Sequence, residues 1–320
     1  MPSVTLADIQ AARRTIGGAL VRTPLLYSEA LSARVGRPLY LKLENLQQTG
    51  SFKPRGVLTK IATLSAAERA CGLVTISAGN HAQALAWAAR AAGVACTVVM
   101  PADAPVSKIA NTRAYGATVI LHPDRVTLLD RCQAEQAEHG YCYVPPFDDP
   151  AIIAGQGTVG LEILEDLPET AAIIVPVGGG GLLAGIAVAV RSQNPAIRVI
   201  GVEPEGAPGM MQSLAAGHAV HLDRVQTVAD GLAAPFAGEL PYALVREWVY
   251  AVLPVSDAEI LAALPPLVEW AKVLPEPAAA AGLALLFSGR ADLPAGPVVI
   301  VISGGNVDLP RLAAYLIPNG

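Results

Sequence analysis

The sequence contains few cysteines, few aromatic residues and few charges. Only 4 of its 320 residues are cysteine, and no two of them have the CxxC spacing of a zinc knuckle. Neither a metal-binding cysteine cluster nor a disulfide framework is predicted, so a reducing, cytoplasmic location is the simpler interpretation.

The charges and the apolar runs argue against two further classes of protein. Charged residues make up 15% of the chain and the net charge is −5, with no basic stripe that would bind nucleic acid. The N-terminus has no signal-peptide core, and the apolar run at 278–287 is too short to cross a bilayer. Hydrophobic residues make up 52%. This content predicts a large core, and we expect a small-molecule partner rather than nucleic acid or membrane.

Short apolar runs alternate with alanine-rich stretches along the chain. Strands are predicted at Leu39–Leu43, Leu73–Ser77, Cys96–Met100, Thr118–Leu121, Ile173–Val177, Arg198–Val202 and Val298–Ile302. Helices are predicted at His81–Ala92, Ser107–Tyr115, Val126–Glu138, Gln156–Leu164 and Leu182–Ser192. This alternation predicts an α/β fold with parallel sheets. The length suggests two domains or one large one, and the proline-rich segment Val144–Pro150 is the best boundary.

Four consecutive glycines, Gly178–Gly181, follow the predicted strand at 173–177. Their amides and the N-terminus of the next helix would bind an anion, most often phosphate, whereas a tight turn is the plainer alternative. The pattern G-x-G-x-x-A from Gly179, with Glu203 after the next strand, also fits a loose dinucleotide fingerprint.

Two other predicted strands end in small and polar residues. The stretch SAGNHAQ at 77–83 opens a helix whose first amides would hold a carboxylate, although a simple helix cap by Ser77 or Asn80 is favoured for this stretch alone. The stretch SGGN begins at Ser303, whose hydroxyl would hydrogen-bond a heteroaromatic nitrogen beside the glycines. An ordinary turn is the alternative there.

Lys53 has an unusual setting in SFKPRG, residues 51–56. A desolvated lysine has a lowered pKa and forms Schiff bases, whereas a solvated lysine at a helix start is commoner. A phosphate cradle, a carboxylate cradle, a hydroxyl for a ring nitrogen and a buried amine are together the parts that bind pyridoxal phosphate and an amino acid.

These motifs resemble the β-family (fold type II) of pyridoxal-phosphate enzymes, in the branch of threonine and serine dehydratases and serine racemase. SFKPRG resembles the Schiff-base motif of the family, SAGNHAQ its carboxylate loop and GGGGLLAG its phosphate loop. Also similar are IAGQGT at 153–158, ADG at 229–231 and the pair EP at 276–277. Threonine ammonia-lyase without a regulatory domain is the nearest type within the branch.

The resemblance implies a fold, a domain division and an assembly. The fold would be that of the tryptophan synthase β-subunit, with two domains that each hold a mostly parallel open sheet flanked by helices. Residues 1–65 and 150–320 would form a large cofactor-binding domain, and residues 66–149 a small substrate-side domain. The assembly would be a homodimer.

The resemblance also implies roles for individual residues. Lys53 would form the Schiff base and remove the α-proton. The cofactor would be bound by Phe52, Lys53, Asn80, Gly178, Gly179, Gly180, Gly181, Leu182, Gly231 and Ser303, with Asn80 on the phenolic oxygen and Ser303 on the pyridine nitrogen. The substrate would be bound by Ser77, Ala78, Gly79, Asn80, His81 and Phe147.

Two departures from the racemases of this branch narrow the expected reaction. Ala78 stands where those racemases carry a second serine, and because alanine cannot transfer a proton, racemisation should be poor. In the run Glu203–Gly209, Gly209 replaces the aspartate of the racemase-type metal site. We expect a solvated loop and no bound metal there.

The expected function is pyridoxal-phosphate-dependent β-elimination of a β-hydroxy-L-amino acid, giving a 2-oxo acid and ammonia. L-Threonine and L-serine are the first candidate substrates. Alternatives are a dehydratase for a bulkier substrate such as phenylserine or 3-hydroxyaspartate, and a serine racemase. A nicotinamide-dependent dehydrogenase or a non-catalytic ligand-binding protein of the same fold is more remote.

Overall fold

The computed structural model describes residues 3–104, 106–124 and 127–317. The strands in these ranges are β1 (Leu25–Tyr27), β2 (Leu39–Leu43), β3 (Leu73–Ile76), β4 (Cys96–Pro101), β5 (Thr118–His122), β6 (Cys142–Tyr143), β7 (Ala172–Pro176), β8 (Arg198–Pro204), β9 (Ala251–Val255) and β10 (Val298–Ile302).

Most of the α-helices lie between these strands in the chain, whereas the first precedes β1 and the last follows β10. They are α1 (Leu6–Ile16), α2 (Glu29–Val35), α3 (Lys53–Thr63), α4 (Ala66–Cys71), α5 (Asn80–Ala92), α6 (Val106–Ala114), α7 (Leu128–His139), α8 (Pro150–Asp166), α9 (Gly181–Arg191), α10 (Gly209–Ala216), α11 (Glu239–Trp248), α12 (Asp257–Glu269), α13 (Pro277–Ser288) and α14 (Leu309–Leu316). None of the described helices is long and apolar enough to cross a membrane.

A six-stranded sheet forms the centre of the larger part of the molecule, in the order β1-β2-β10-β7-β8-β9. Its strands are parallel except β1, which pairs antiparallel with β2. Every residue of β7 and of β10 is buried, because helices cover both faces of the sheet. One apolar core contains α8, α9 and α11, and the other contains α12 and α13.

A second, four-stranded parallel sheet has the order β5-β4-β3-β6. All four of its strands lie within residues 73–143, which is part of the sequence interval between β2 and β7. Alanine-rich α5 covers this sheet, and most of its residues are buried. The fold is therefore α/β with two parallel-sheet units, as the sequence predicted.

Close helix packing brings α3, α8 and α9 together. A Cβ on Gly157 of α8 would lie 2.7 Å from the carbonyl oxygen of Gly185 in α9, and a Cβ on Gly155 would overlap the Arg55 carbonyl oxygen in α3. Glycine is therefore required at these contacts, and α8 holds the helix that begins at Lys53 against the helix that follows the glycine loop.

Most predicted elements are present, with shifted ends. All seven predicted strands occur, with boundaries that differ by at most two residues. The helix predicted from Gln156 begins instead at Pro150, because Asp149 caps it and proline suits the first helical turn. The first residue of the helix predicted at 126–138 lies outside the described residues, and the described helix there runs from Leu128.

Candidate active site

The segment that carries Lys53 lies beside the end of the last strand. Ser51 forms an antiparallel bridge with Gly304, and the Phe52 amide donates to the Ser303 carbonyl at 3.1 Å. Two motifs about 250 residues apart in sequence are thus adjacent in the fold. Both lie at the carboxyl edge of the large sheet, where ligands of open α/β folds bind.

Lys53 is partly buried at the first position of α3, and Pro54 follows it in the first turn, which has no side-chain cap. Its Nζ donates to the carbonyl oxygen of Pro146 at 2.8 Å. Burial lowers the pKa of the Lys53 ammonium to about 8, although the negative charge of Glu276 opposes the shift. The lysine predicted to act as a base therefore has an unusually acidic ammonium, which is the property that base needs.

The glycine run forms a cradle of free amides. No described residue accepts a hydrogen bond from the amides of Gly178–Leu182. Gly180 adopts φ +94°, and a Cβ on Gly178 would lie 3.4 Å from the carbonyl oxygen of Gly231. The ring of Phe147 occupies the space that a side chain at Gly179 would need. Phe147 and Gly231 thus lie against this loop.

The loop at 77–81 is not an ordinary helix cap. Helix α5 begins at Asn80 without a side-chain cap, and the Ser77 hydroxyl accepts from the Gly79 amide rather than from a helix amide. Asn80 instead donates its Nδ2 hydrogen to Glu276 Oε1 at 2.7 Å. The capping interpretation is therefore wrong, and the first amides of α5 are available to a carboxylate beside Ala78.

His81 lies behind this loop and is buried. Its Nε2 donates to the carbonyl oxygen of Val144 at 3.0 Å, so Nδ1 carries a lone pair and has no described partner. Burial, with the nearby Lys53 charge, lowers the pKa of His81 to about 3. The neutral imidazole fixes the loop to the segment that also carries Pro146.

Sequence reasoning missed two buried residues of the site. Glu276 faces Asn80 and would overlap a Cβ on Gly304. The side-chain amide of Gln156 is buried without a partner among the described residues, and a Cβ on Gly181 would lie 2.7 Å from its Oε1. Both residues lie in motifs that resemble those of the family, IAGQGT and EP, and this resemblance could have marked them as site residues. The sequence analysis gave neither of them a role.

A buried ionic network supports α3 two residues beyond Lys53. Arg55 donates to both oxygens of Glu44, at 2.8 Å each, and to both oxygens of Glu162, at 2.7 and 2.9 Å. Lys42 adds a bond of 2.6 Å to Glu162. The two cations and two carboxylates compensate each other away from water. The first turn of α3 is thereby fixed to β2 and α8.

Glu203 does not lie in a solvated loop, and that expectation was wrong. It is 0% exposed at the end of β8 and accepts hydrogen bonds from the amides of Met210 and Met211, at 2.8 and 2.9 Å. With both oxygens engaged inside the protein, Glu203 cannot reach a ribose in the way a dinucleotide-binding acid does. Among the described residues there is no group of three or more His, Cys, Asp or Glu side chains that would hold a metal ion.

Comparison with known proteins identifies the family. Residues 16–304 match the family described as pyridoxal-phosphate dependent enzyme. The chain belongs to this family. An L-threonine ammonia-lyase of Thermotoga maritima is 47% identical over 96% of this chain and 76% of its own length. An L-threo-3-hydroxyaspartate ammonia-lyase of Saccharomyces cerevisiae is 42% identical over 98% of this chain and 96% of its own.

A solved structure agrees with the fold. Maize serine racemase superposes with a TM-score of 0.93 and 37% identity, over 98% of this chain and 97% of the racemase. Membership of the pyridoxal-phosphate family excludes the nicotinamide dehydrogenase alternative. It also confirms pyridoxal phosphate as the cofactor, in agreement with the cradle of free amides and the desolvated lysine.

Proposed function

We propose that this protein is an ammonia-lyase that eliminates water from β-hydroxy-L-amino acids, with L-threonine and L-serine as substrates. The observation that carries the proposal is the position of Lys53. Burial lowers the pKa of its ammonium to about 8, and the amide of the preceding residue, Phe52, donates to the Ser303 carbonyl at the end of β10. The similarity to L-threonine ammonia-lyase over nearly the whole chain supports the reaction type.

The residues present suit the phosphorylated pyridine cofactor. The free amides of Gly178, Gly179, Gly180, Gly181 and Leu182 would bind its phosphate, Phe52 and Gly231 would flank the ring, and Ser303 and Asn80 would bond its nitrogen and oxygen. A neutral hydroxyl at the nitrogen leaves the ring a weaker electron sink than an aspartate would. When bound, pyridoxal phosphate supplies an electron-withdrawing ring that labilises the α-proton and promotes loss of the β-substituent.

Lys53 is proposed to move the α-proton. Because its ammonium is desolvated, a larger fraction of the amine is neutral near pH 8 than for an exposed lysine. The carbonyl of Pro146 accepts a hydrogen bond from Nζ and so holds the amine in one direction. The substrate carboxylate would be bound by the loop that contains Ser77, Ala78, Gly79, Asn80 and His81, with Phe147 nearby.

Ala78 favours elimination over racemisation. Racemisation requires a second group that delivers a proton to the opposite face of the α-carbon, and a methyl group cannot do so. The solved racemase with a similar fold shows that the architecture alone does not distinguish the two reactions. The identity of residue 78 is therefore the feature on which the choice depends.

A second candidate substrate is 3-hydroxyaspartate, which the yeast relative is named for. The observation in its favour is Lys108, which is buried near the carboxylate loop. A Cβ on Gly79 would lie 3.8 Å from Lys108 Nζ, and the ammonium pairs with Asp230 at 2.5 Å. A second substrate carboxylate would compete with Asp230 for this cation.

The test is release of 2-oxo acid by the purified holoprotein. L-Threonine, L-serine, L-threo-3-hydroxyaspartate and L-threo-phenylserine are supplied separately, with Lys53→Ala as the control. Release from threonine and serine that disappears in the control supports the lyase. Faster release from hydroxyaspartate than from threonine assigns the second substrate. Conversion of L-serine to D-serine without net consumption would contradict elimination.

The domain division, assembly and location extend the proposal. We infer that residues 1–65 and 150–320 form the cofactor-binding domain and residues 66–149 the substrate-side domain, because the strands of the two sheets fall in these intervals.

The exposed apolar residues Leu26, Tyr27 and Trp270 border one groove, which supports a homodimer. Sedimentation of the purified protein tests the dimer. Four free cysteines suit a reducing cytoplasm, which cell fractionation tests.

A further inference from the structure

Glu276 is a buried carboxyl group that the proposed reaction leaves without a role. It is 2% exposed, Oε1 accepts from Asn80, and Oε2 has no hydrogen-bond partner among the described residues. A Cβ on Gly304 would overlap Oε1, and a Cβ on Gly231 would lie 3.4 Å from it. The carboxyl group therefore lies between the two glycines that would face the cofactor ring. A buried polar group in that place calls for a reason.

A chain of hydrogen bonds determines which way the Asn80 amide points. The chain begins at the Thr49 carbonyl, which can only accept, so the Asn306 group that donates to it at 2.7 Å must be Nδ2. The same Nδ2 donates to Asn80 Oδ1 at 2.9 Å. With its oxygen turned toward Asn306, Asn80 must direct Nδ2 toward Glu276.

Reversal of the Asn80 amide would break both of its contacts. Asn80 Oδ1 would then face the carboxylate of Glu276, and Asn80 Nδ2 would face the donor Nδ2 of Asn306. One hydrogen of Nδ2 is used by Glu276, so the second remains for a ligand. Glu276 thus specifies both the orientation of the amide and the hydrogen that is left free.

The backbone that anchors this chain is unusual. Thr49 is a β-branched residue at φ +60°, and Gly50 follows at φ +72°. Positive φ is unfavourable for threonine, and such conformations are retained where the surroundings require them. A Cβ on Gly50 would lie 2.6 Å from Asn306 Oδ1, so glycine leaves room for the Asn306 amide. The left-handed turn presents the Thr49 carbonyl to that amide.

We propose that Glu276 is a positioning residue which, with Asn306 and Thr49, fixes the Asn80 amide so that one N–H donates to the phenolic oxygen of pyridoxal phosphate. The inference rests on the cofactor site of the proposed function, but not on the reaction that follows. Glu276 acts through Asn80.

The experiment compares Glu276→Ala, which removes the acceptor, with Glu276→Gln, which keeps an oxygen for Asn80. The readouts are the dissociation constant of pyridoxal phosphate from the apoprotein and the visible absorption band of the bound cofactor, which reports the charge on its ring oxygen. One hydrogen bond to a charged group corresponds to about tenfold in affinity. We expect Glu276→Ala to weaken binding about tenfold and shift the band, and Glu276→Gln to restore both to within about threefold.

A matched pair of controls separates this role from a general effect of altering a buried glutamate. Glu135 is 5% exposed in α7 and pairs with Arg131, outside the site. Glu135→Ala and Glu135→Gln should leave cofactor affinity unchanged. Thermal unfolding of each apoprotein reports folding. Asn306→Leu removes the amide that donates to Asn80 Oδ1, and so disrupts the same series of hydrogen bonds at its other end. This variant should reproduce the Glu276→Ala spectrum.

Two results would overturn the proposal. Wild-type affinity and an unshifted band in Glu276→Ala would show that the Asn80 amide needs no such support. Equal impairment in the alanine and glutamine variants would assign the effect to the negative charge instead of the acceptor. Both readouts are made without substrate, so a holoprotein that releases no 2-oxo acid would contradict the proposed reaction and still leave the positioning role open to measurement.

Discussion

At the scale of single residues, the lowered pKa of Lys53 predicts how the rate of cofactor uptake depends on pH. Burial lowers the pKa of its ammonium to about 8, and only the neutral amine attacks an aldehyde. The rate of pyridoxal phosphate incorporation into the apoprotein should therefore rise with pH through about 8 and level off above it. Rapid mixing across pH 6.5–9.5, with absorbance detection, measures this profile.

The control for this profile is Lys53→Gln, which should bind cofactor without the absorbance change of a Schiff base. Lys60 offers a second comparison because it lies on the same helix, in an ion pair with Asp149. Reduction with borohydride should attach the cofactor to Lys53 and leave Lys60 unlabelled. A rate that is still rising at pH 9.5 would show that the Lys53 amine is hydrated like an exposed lysine.

Ala78 makes the second residue-scale prediction. Ala78→Ser would place a hydroxyl in the carboxylate loop beside the first free amides of α5, at the position where the similar racemases carry a second serine. We expect racemisation of L-serine to increase at least about tenfold, because a second proton-transfer group contributes a factor of that order or more. Chiral chromatography of the recovered serine measures the change. Ser77→Ala is the matched control, and it should not raise the amount of D-serine.

At the scale of secondary-structure elements, the buried ionic network around Arg55 is predicted to hold α3 in place. Arg55→Ala leaves the carboxylate of Glu162 paired with Lys42, whereas the buried carboxylate of Glu44 loses its cation and keeps only the hydrogen bond from the Thr23 hydroxyl. Breaking a buried ionic group in this way costs about 3–5 kcal/mol of unfolding free energy. Urea unfolding should show this loss, and the variant should also release its cofactor more readily because α3 begins at Lys53.

The surface ion pair of Arg13 with Glu165 provides the comparison for this variant. Both side chains are more than 40% exposed, and Arg22 shares the carboxylate. Arg13→Ala should change the free energy of unfolding by less than about 1 kcal/mol, since exposed ion pairs are screened by water. If Arg55→Ala and Arg13→Ala prove equally mild, the buried network does not stabilise α3.

The extent to which elements could be predicted depended on local apolar patterning. Strands β7 and β10 are continuous apolar runs buried on both faces, and their sequence alone is sufficient to locate them. Strands β1 and β6 were missed because they have only three and two residues. Strand β9 is an edge strand that contains Pro254, and a proline inside an apolar run argues against a strand. Their pairing depends on neighbours that are distant in sequence.

The same distinction applies to the site. Asn80 and Ser303 lie in motifs at strand ends, and Lys53 begins helix α3, so the local sequence suffices to predict a turn or a helix start at each of them. Glu276 could not be assigned a role in advance, because its contact with Asn80 spans 196 residues of sequence. Glu203 was misjudged because a glutamate next to prolines and glycines suggests a solvated loop. The amides that bury it come from the next helix.

At the scale of the whole molecule, Glu203 links stability to pH. Burial raises the pKa of its carboxyl to about 8 in the folded protein, while the ordinary value of 4.5 applies to the unfolded chain. Between these values the folded state binds more protons than the unfolded state, so the free energy of unfolding falls as pH rises. The contribution is complete below pH 4.5 and is lost as pH rises through about 8.

Glu203→Gln removes this dependence and provides its test. The variant loses one acceptor for the Met210 and Met211 amides at every pH, so the informative quantity is its stability relative to wild type at two pH values. From pH 5 to pH 8 that difference should shift in favour of the variant by on the order of 3 kcal/mol in urea unfolding of the apoprotein. Burial raises the pKa of Glu276 to about 7, but this group titrates alike in both proteins, so its contribution cancels in the difference.

Glu68→Gln is the control, because hydrogen bonds from Ser65 lower the pKa of Glu68 and keep it ionised throughout. A difference that stays constant from pH 5 to pH 8 would mean that Glu203 is already ionised when folded.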